Sequence, residues 1–192
     1  MPRGTFHILR LLLIFAFTTA NPAFAETVAI IGTGNVGMAI GTEMAGLGHT
    51  VIYGSRSPAS SKTLDLVAKS GEASSAALPA EAAGQADVIV LAVPGMLVAE
   101  VSAGLGELSG KIIIDATNPL LPIGEGPRFA YGVDSSNGQI VQEMHPDAQV
   151  VKAFNTLNWE TMVDPASAGG PVSIPLVGDN ARAKEKVAVT TG

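Results

Sequence analysis

The sequence predicts an α/β protein with a doubly wound, mainly parallel sheet and helices on both faces. Three observations predict it. Short apolar runs rich in Val and Ile alternate with helix-like segments, the pattern of βαβ units whose strands are buried on both sides. The first run breaks into Gly32-Thr33-Gly34-Asn35-Val36-Gly37, a Gly-x-Gly-x-x-Gly turn that opens a helix-like segment. A second strand-like run begins about twenty residues later, the spacing of a βαβ unit.

Each element has its own justification. Residues 28–31 are an uninterrupted apolar strand. Gly32 permits the tight exit, Gly34 allows close backbone approach to a ligand, and Gly37 lets the next helix pack on the sheet. That helix runs over 35–47 and stops at Gly48 and His49. A second strand covers 50–53, followed by a helix over 60–69, a poorly marked strand at 72–74 and a short helix at 77–83. Residues 87–93 form the next clear strand, broken by Pro94-Gly95, and a helix continues to Leu108. Residues 111–115 are a fifth strand. Residues 120–137 are a loop dense in Gly and Pro. A helix at 139–144 precedes a sixth strand at 149–154. Residues 173–177 are expected as a seventh strand, at an edge because Pro175 has no N–H to give. Asp179 or Asn180 caps a final helix.

The glycine turn makes the expected fold Rossmann-type. A helix N-terminus directed at this turn offers free N–H groups and the positive end of its dipole to a pyrophosphate. The end of the second strand then selects the dinucleotide. An NAD site usually places Asp or Glu there to accept from the ribose 2′-hydroxyl. No acid occurs between Thr50 and Thr63; Ser55, Arg56, Ser57 and Lys62 stand there instead. Arg56 can pair bidentately with a 2′-phosphate, so NADP(H) is favoured.

Ligands of such sheets bind beyond the carboxyl ends of the strands. The remaining candidates are therefore Val93 and Pro94, beside the nicotinamide, and Asn118 and Asn155, each just past a strand, for the nicotinamide amide or ribose. Asn is also a common turn residue, and Val93 and Phe154 serve equally as core. His49 reads as a helix-end residue, and His145 lies at the amino end of the sixth strand, away from the expected site. Asp115 closes the fifth strand and can orient the Thr117-Asn118 loop. No catalytic acid or base is identified and no metal-ligand spacing is found. Hydride transfer between ring systems needs positioning rather than a side-chain acid.

Composition narrows the classes. The chain is 47% hydrophobic and 15% charged, which opposes disorder. It carries a formal net charge of −6 without a basic patch, which opposes nucleic-acid binding. It has no cysteine, hence no disulfide or thiol chemistry. Residues 1–25 read as a signal peptide, leaving 26–192 as one dinucleotide-binding domain. Arg3 and Arg10 supply the positive region, an apolar stretch follows, and Ala23-Phe24-Ala25 is the cleavage site. The stretch is too short for a comfortable membrane span of about twenty residues, so no stable insertion is expected. Export to a bacterial periplasm follows; a start codon assigned too early would instead make the protein cytoplasmic, where NADP(H) is available.

These segments resemble the NADP-binding domain of the coenzyme F420 (deazaflavin)-dependent NADP oxidoreductase family over about residues 27–189. The resemblance rests on Ile31-Gly-Thr-Gly-Asn-Val-Gly37, Tyr53-Gly-Ser-Arg56, Val90-Leu-Ala-Val-Pro94, Asp115-Ala-Thr-Asn-Pro119 and Val150-Val-Lys-Ala-Phe-Asn-Thr156, in order and spacing. It implies hydride transfer between NADP(H) and F420 or a flavin-like acceptor. By position, Thr33, Asn35 and Val36 would contact the pyrophosphate, Ser55 and Arg56 the 2′-phosphate, and Val93, Pro94, Asn118 and Asn155 the nicotinamide. Family members continue beyond the point where this chain ends, with structure that helps form the second pocket and a dimer contact. A C-terminal truncation and a homodimer thus stay open. The alternative is a non-catalytic NADP(H)-binding or redox-sensing module.

Overall fold

A computed structural model describes residues 25–121, 130 and 134–191. The leader expected over 1–25 lies outside them except for Ala25, as does most of the Gly- and Pro-rich loop.

The chain builds β1 (Thr27–Ile31), α1 (Asn35–Gly46), β2 (Thr50–Gly54), α2 (Ser61–Ser70), β3 (Ser74–Ala77), α3 (Pro79–Gln85) and β4 (Val88–Leu91). A 3₁₀ turn (Gly95–Leu97) leads into α4 (Val98–Ala103), then β5 (Ile112–Asp115), α5 (Asn137–Met144) and β6 (Gln149–Lys152). After β6 come α6 (Trp159–Val163), a 3₁₀ turn (Pro165–Ala168) and α7 (Ala181–Thr190). The six strands lie in the order β3-β2-β1-β4-β5-β6, all parallel, and the strand order reverses between β1 and β4. This is the order of a dinucleotide-binding Rossmann sheet.

Strand periodicity sorts the core into two layers. Val28, Ile30, Val51, Tyr53, Val90 and Ile114 face one side and pack on Ile40 and Met44 of α1, Leu66 of α2 and Val187 of α7. Ala29, Ile31, Ile52, Ile89, Leu91 and Ile113 face the other, against Ala82 and Ala83 of α3, Val98 of α4 and Val141 of α5. Both faces are covered, which is why the strands read as continuous apolar runs.

Several expected bounds move. β3 lies at Ser74–Ala77 rather than 72–74; it has no apolar run and exists through its pairing with β2. The helix after it begins at Pro79, whose ring suits the first helical turn, and Glu81 accepts from Leu78 N at 3.2 Å. The helix expected to reach Leu108 ends at Ala103, before Gly104 and Gly106. α6 was not expected at all.

The expected seventh strand at 173–177 does not form. Only one antiparallel bridge links Val177 to Lys152, with Lys152 N donating to Val177 O at 2.7 Å and Val177 N to Lys152 O at 3.0 Å. Continuing this ladder would pair residue 175 with 154, where Pro175 has no N–H and Phe154 turns away with φ +66°. In the other direction Val150 N already donates to the Gln142 side chain at 3.1 Å.

α1 presses closely on β2. A Cβ at Gly41 would stand 2.5 Å from the Tyr53 hydroxyl oxygen. Tyr53, fully buried, donates to Ser70 Oγ at 2.7 Å, and Ser70 donates onward to Leu66 O at 3.0 Å. Burial pushes the Tyr53 phenol above its ordinary 10.0, against the smaller opposing effects of hydrogen bonds with Ser70 and Thr42. The folded state thus keeps the neutral phenol to higher pH than the unfolded chain. This contribution is intact below about pH 10 and is lost as pH rises through the folded value. In urea titrations from about pH 9 to 11, wild type should lose stability more steeply than Tyr53→Phe. At pH 7 the variant should be about 1 kcal/mol less stable, since the bond to Ser70 is gone. Parallel pH curves would contradict this account of Tyr53.

Candidate functional site

The three glycines of the turn do different work. Gly32 leaves β1 with φ +115°, its N–H donating to Gly54 O at 3.1 Å, and a Cβ there would stand 2.4 Å from Ala92 O. A Cβ at Gly37 would stand 2.0 Å from Gly32 O. Both positions are closed by backbone of the protein itself. At Gly34 a Cβ would meet no heavy atom of the described residues within 4 Å, so nothing inside the fold explains the glycine. Its missing side chain clears space on the outside, over the start of α1. The first helical bond there is Met38 N to Gly34 O at 2.8 Å. The N–H groups of Asn35, Val36 and Gly37 have no carbonyl a turn earlier, Gly34 supplies no side-chain cap, and the first turn holds no acid.

β2 ends at Gly54, and the loop after it is folded around one hydroxyl. Thr63 Oγ1 donates to Ser57 O at 3.2 Å and lies 3.2 Å from Ser55 Oγ and 3.0 Å from Ser60 Oγ. Ser55 is buried, and its Oγ accepts from Ser57 N at 3.1 Å. Ser55 therefore shapes the loop from within, whereas Arg56 stands exposed beside it. Among the described residues neither Arg56 nor Lys62 has a carboxylate partner.

A cleft of about 510 Å³ joins these parts at the point where the strand order reverses. It brings together Gly32, Thr33, Gly34, Ser55, Arg56, Val93 and Pro94 of the expected residues. Asn35 lines an adjoining hollow with Thr33, Gly34, Lys62 and Lys69, while Val36 and Gly37 line neither. Leu97 and Glu100 complete a wall that sequence reasoning missed, because the apolar spacing of the expected helix falls on Val98, Val101, Leu105 and Leu108 and passes over both. Asn118 and Asn155 lie outside the cleft and bond each other: Asn118 Nδ2 donates to Asn155 O at 2.8 Å and Asn155 Nδ2 to Asn118 Oδ1 at 3.3 Å.

Asp115 does orient its loop. Its Oδ1 accepts from Thr117 N at 2.9 Å and Thr117 Oγ1 at 2.7 Å, and its Oδ2 pairs with Lys152 Nζ at 2.8 Å. Lys152 was not singled out in the sequence, although a charge closing an apolar strand was the available signal. The histidines lie elsewhere. His49 accepts from Glu26 N at 3.0 Å and its Nε2 sits 2.9 Å from Thr190 O, tying β1 to α7. His145 meets Ser102 at 3.0 Å.

Residues 27–119 match the family model described as NADP oxidoreductase, coenzyme F420-dependent. The chain is 29% identical over 167 residues to metalloreductase STEAP3 of Rattus norvegicus, covering 86% of this chain and 32% of that protein. It is 29% identical over 149 residues to the F420-dependent NADP reductase of Methanothermobacter thermautotrophicus, covering 71% of this chain and 64% of that enzyme. The chain thus spans less than two thirds of each of these relatives. Among solved structures, a protein of Arthrobacter sp. FB24 named as a candidate F420-dependent NADP reductase superposes with a TM-score of 0.80 and 32% identity, covering 87% of this chain and 80% of that one. At that identity and coverage, on a shared fold, the chain belongs to the coenzyme F420-dependent NADP oxidoreductase family.

Proposed function

We propose that this chain binds NADP(H) in the cleft and acts in hydride transfer between its nicotinamide and a deazaflavin, F420, or a flavin-like acceptor. The single observation that carries the reading is Gly34: the absent side chain opens onto solvent and uncapped helix N–H groups, not onto the protein. That is a cradle shaped for a pyrophosphate. An exposed Arg56 with no carboxylate partner among the described residues, at the end of β2, supports a ribose carrying a 2′-phosphate. The family supplies the oxidoreductase class.

When bound, the nicotinamide supplies the hydride chemistry. The residues of this chain bind, orient and exclude water. Asn35, Val36 and Gly37 offer backbone donors to the diphosphate. Thr63, Ser55 and Ser57 hold the β2–α2 loop in the shape that presents Arg56. Val93 and Pro94 form an apolar border at the β4 end of the cleft, and Gly95, next in the chain, packs against the backbone of Asn118 outside it. Positioning of this kind accounts for a reductase without a side-chain acid. We also propose export, with cleavage after Ala25; N-terminal sequencing of the mature protein should then begin at Glu26.

Three outcomes are expected. Gly34→Ala should bind NADPH at least tenfold more weakly while losing no more than about 1 kcal/mol of folding stability, because the new methyl meets ligand and not protein. Unchanged affinity by calorimetry would remove the pyrophosphate cradle. Arg56→Ala should lose roughly 1.5–3 kcal/mol for NADPH and almost nothing for NADH, one charge-assisted contact; equal losses for both would defeat the 2′-phosphate assignment. Stopped-flow mixing of NADPH with F420, FMN, FAD or a ferric chelate should show oxidation of NADPH by an acceptor. Silence with all four would favour a binding or sensing module.

A further inference from the structure

Beneath the Asn118–Asn155 pair runs a polar chain that the binding of phosphates does not use. Its centre is the ion pair of Lys152, 21% exposed at its side chain, with the fully buried Asp115. Lys152 Nζ also donates to Thr117 O at 2.7 Å. Thr117 Oγ1 donates to Asp115 and accepts from Asn137 Nδ2 at 2.7 Å, and Asn137 Nδ2 donates also to Gly95 O at 3.1 Å. One connected set of bonds thus joins the loop after β4, the turn after β5, the end of β6 and the start of α5. The loop after β4 touches the amide pair directly, since a Cβ at Gly95 would stand 1.9 Å from Asn118 O.

The turn that carries Asn155 is anchored on Asp115 and Asn118. Between Lys152 and Asn155 the backbone passes through Phe154 at φ +66°, a costly conformation for a bulky side chain. It is held on one side by Ala153 N donating to Asp115 O at 3.1 Å and on the other by Asn118 Nδ2 donating to Asn155 O. A buried ion pair is seldom the most stabilising choice at such a place, and apolar side chains of similar size often serve as well. What the pair supplies is a fixed direction for the turns at both strand ends. The two asparagines keep one amide hydrogen each and further acceptor lone pairs after bonding one another. A carboxamide, with one acceptor and one donor group, is the complement of that surface.

We propose that Lys152 is a positioning residue, acting through Asp115 and Thr117 to set the Asn118–Asn155 pair that receives the nicotinamide carboxamide. The inference rests on the NADP(H) reading above. It requires that Lys152 matter for the nicotinamide half of the ligand and not for the adenosine half.

The test compares NADPH with adenosine 2′,5′-bisphosphate, which lacks the nicotinamide. Lys152→Gln should bind NADPH on the order of tenfold more weakly, the loss of about one hydrogen bond, and the fragment within about twofold of wild type. Lys152→Arg should restore NADPH affinity to within about threefold, because a guanidinium can span the same two oxygens. Should Lys152→Gln fail to fold, the neutral pair Asp115→Asn/Lys152→Gln removes the buried charge and should show the same selective loss. Equal losses for NADPH and the fragment would mean general damage and overturn the inference, as would unaltered NADPH affinity. Wild type that binds neither ligand would instead overturn the NADP(H) reading itself, and this inference with it.

Discussion

The distance between α1 and β1 sets the rest of the carboxyl edge, and it is fixed where Gly37 faces the carbonyl oxygen of Gly32. A methyl group at 37 would stand 2.0 Å from that oxygen, so only a bare backbone allows the helix to begin this close to its strand. With the helix held there, it begins beside the crevice that Gly34 lines, and its first N–H groups have no side-chain cap. The dipole contributes because the helix is close and uncapped; a side-chain cap or an acid in the first turn would occupy or neutralise the same groups. Gly41 repeats the close approach one turn on, against Tyr53, and ties α1 to β2.

The proposed specificity for the ribose rests on a different device. The loop after β2 contains few apolar residues, so it takes its shape from hydroxyls gathered on Thr63. Those bonds bury Ser55 and leave Arg56 outside. The pattern explains why serine at 55 and arginine at 56 are not two equivalent ligands for a phosphate. One builds the platform, and the other stands on it with no carboxylate partner among the described residues.

Elements with a local signature were legible from the residues alone. β1, β2, β4, β5 and β6 are apolar runs buried on both faces, and Asn180 caps α7 as its position suggested, accepting from Ala183 N at 3.0 Å. β3 was hard to place because Ser74–Ala77 owes its conformation to Val51–Gly54 alongside it. Residues 173–177 look like a strand by composition, yet Pro175 and the left-handed Phe154 stop the ladder after one bridge. The glycine turn, Arg56, Val93 and Pro94 could be assigned to one crevice because strand ends converge there by topology. The Lys152–Asp115–Thr117–Asn137 chain could not, since its members lie up to 37 residues apart and only folding brings them into contact. Burial of a carboxylate and the partner that compensates it are tertiary facts.

The most direct measurement is a crystal structure of the protein with NADPH. The account predicts the diphosphate oxygens within hydrogen-bond distance of the Asn35 and Val36 backbone N–H groups, with the ligand passing over Gly34 and the 2′-phosphate on the Arg56 guanidinium. A dinucleotide bound elsewhere, or bound with its diphosphate away from the start of α1, would contradict it.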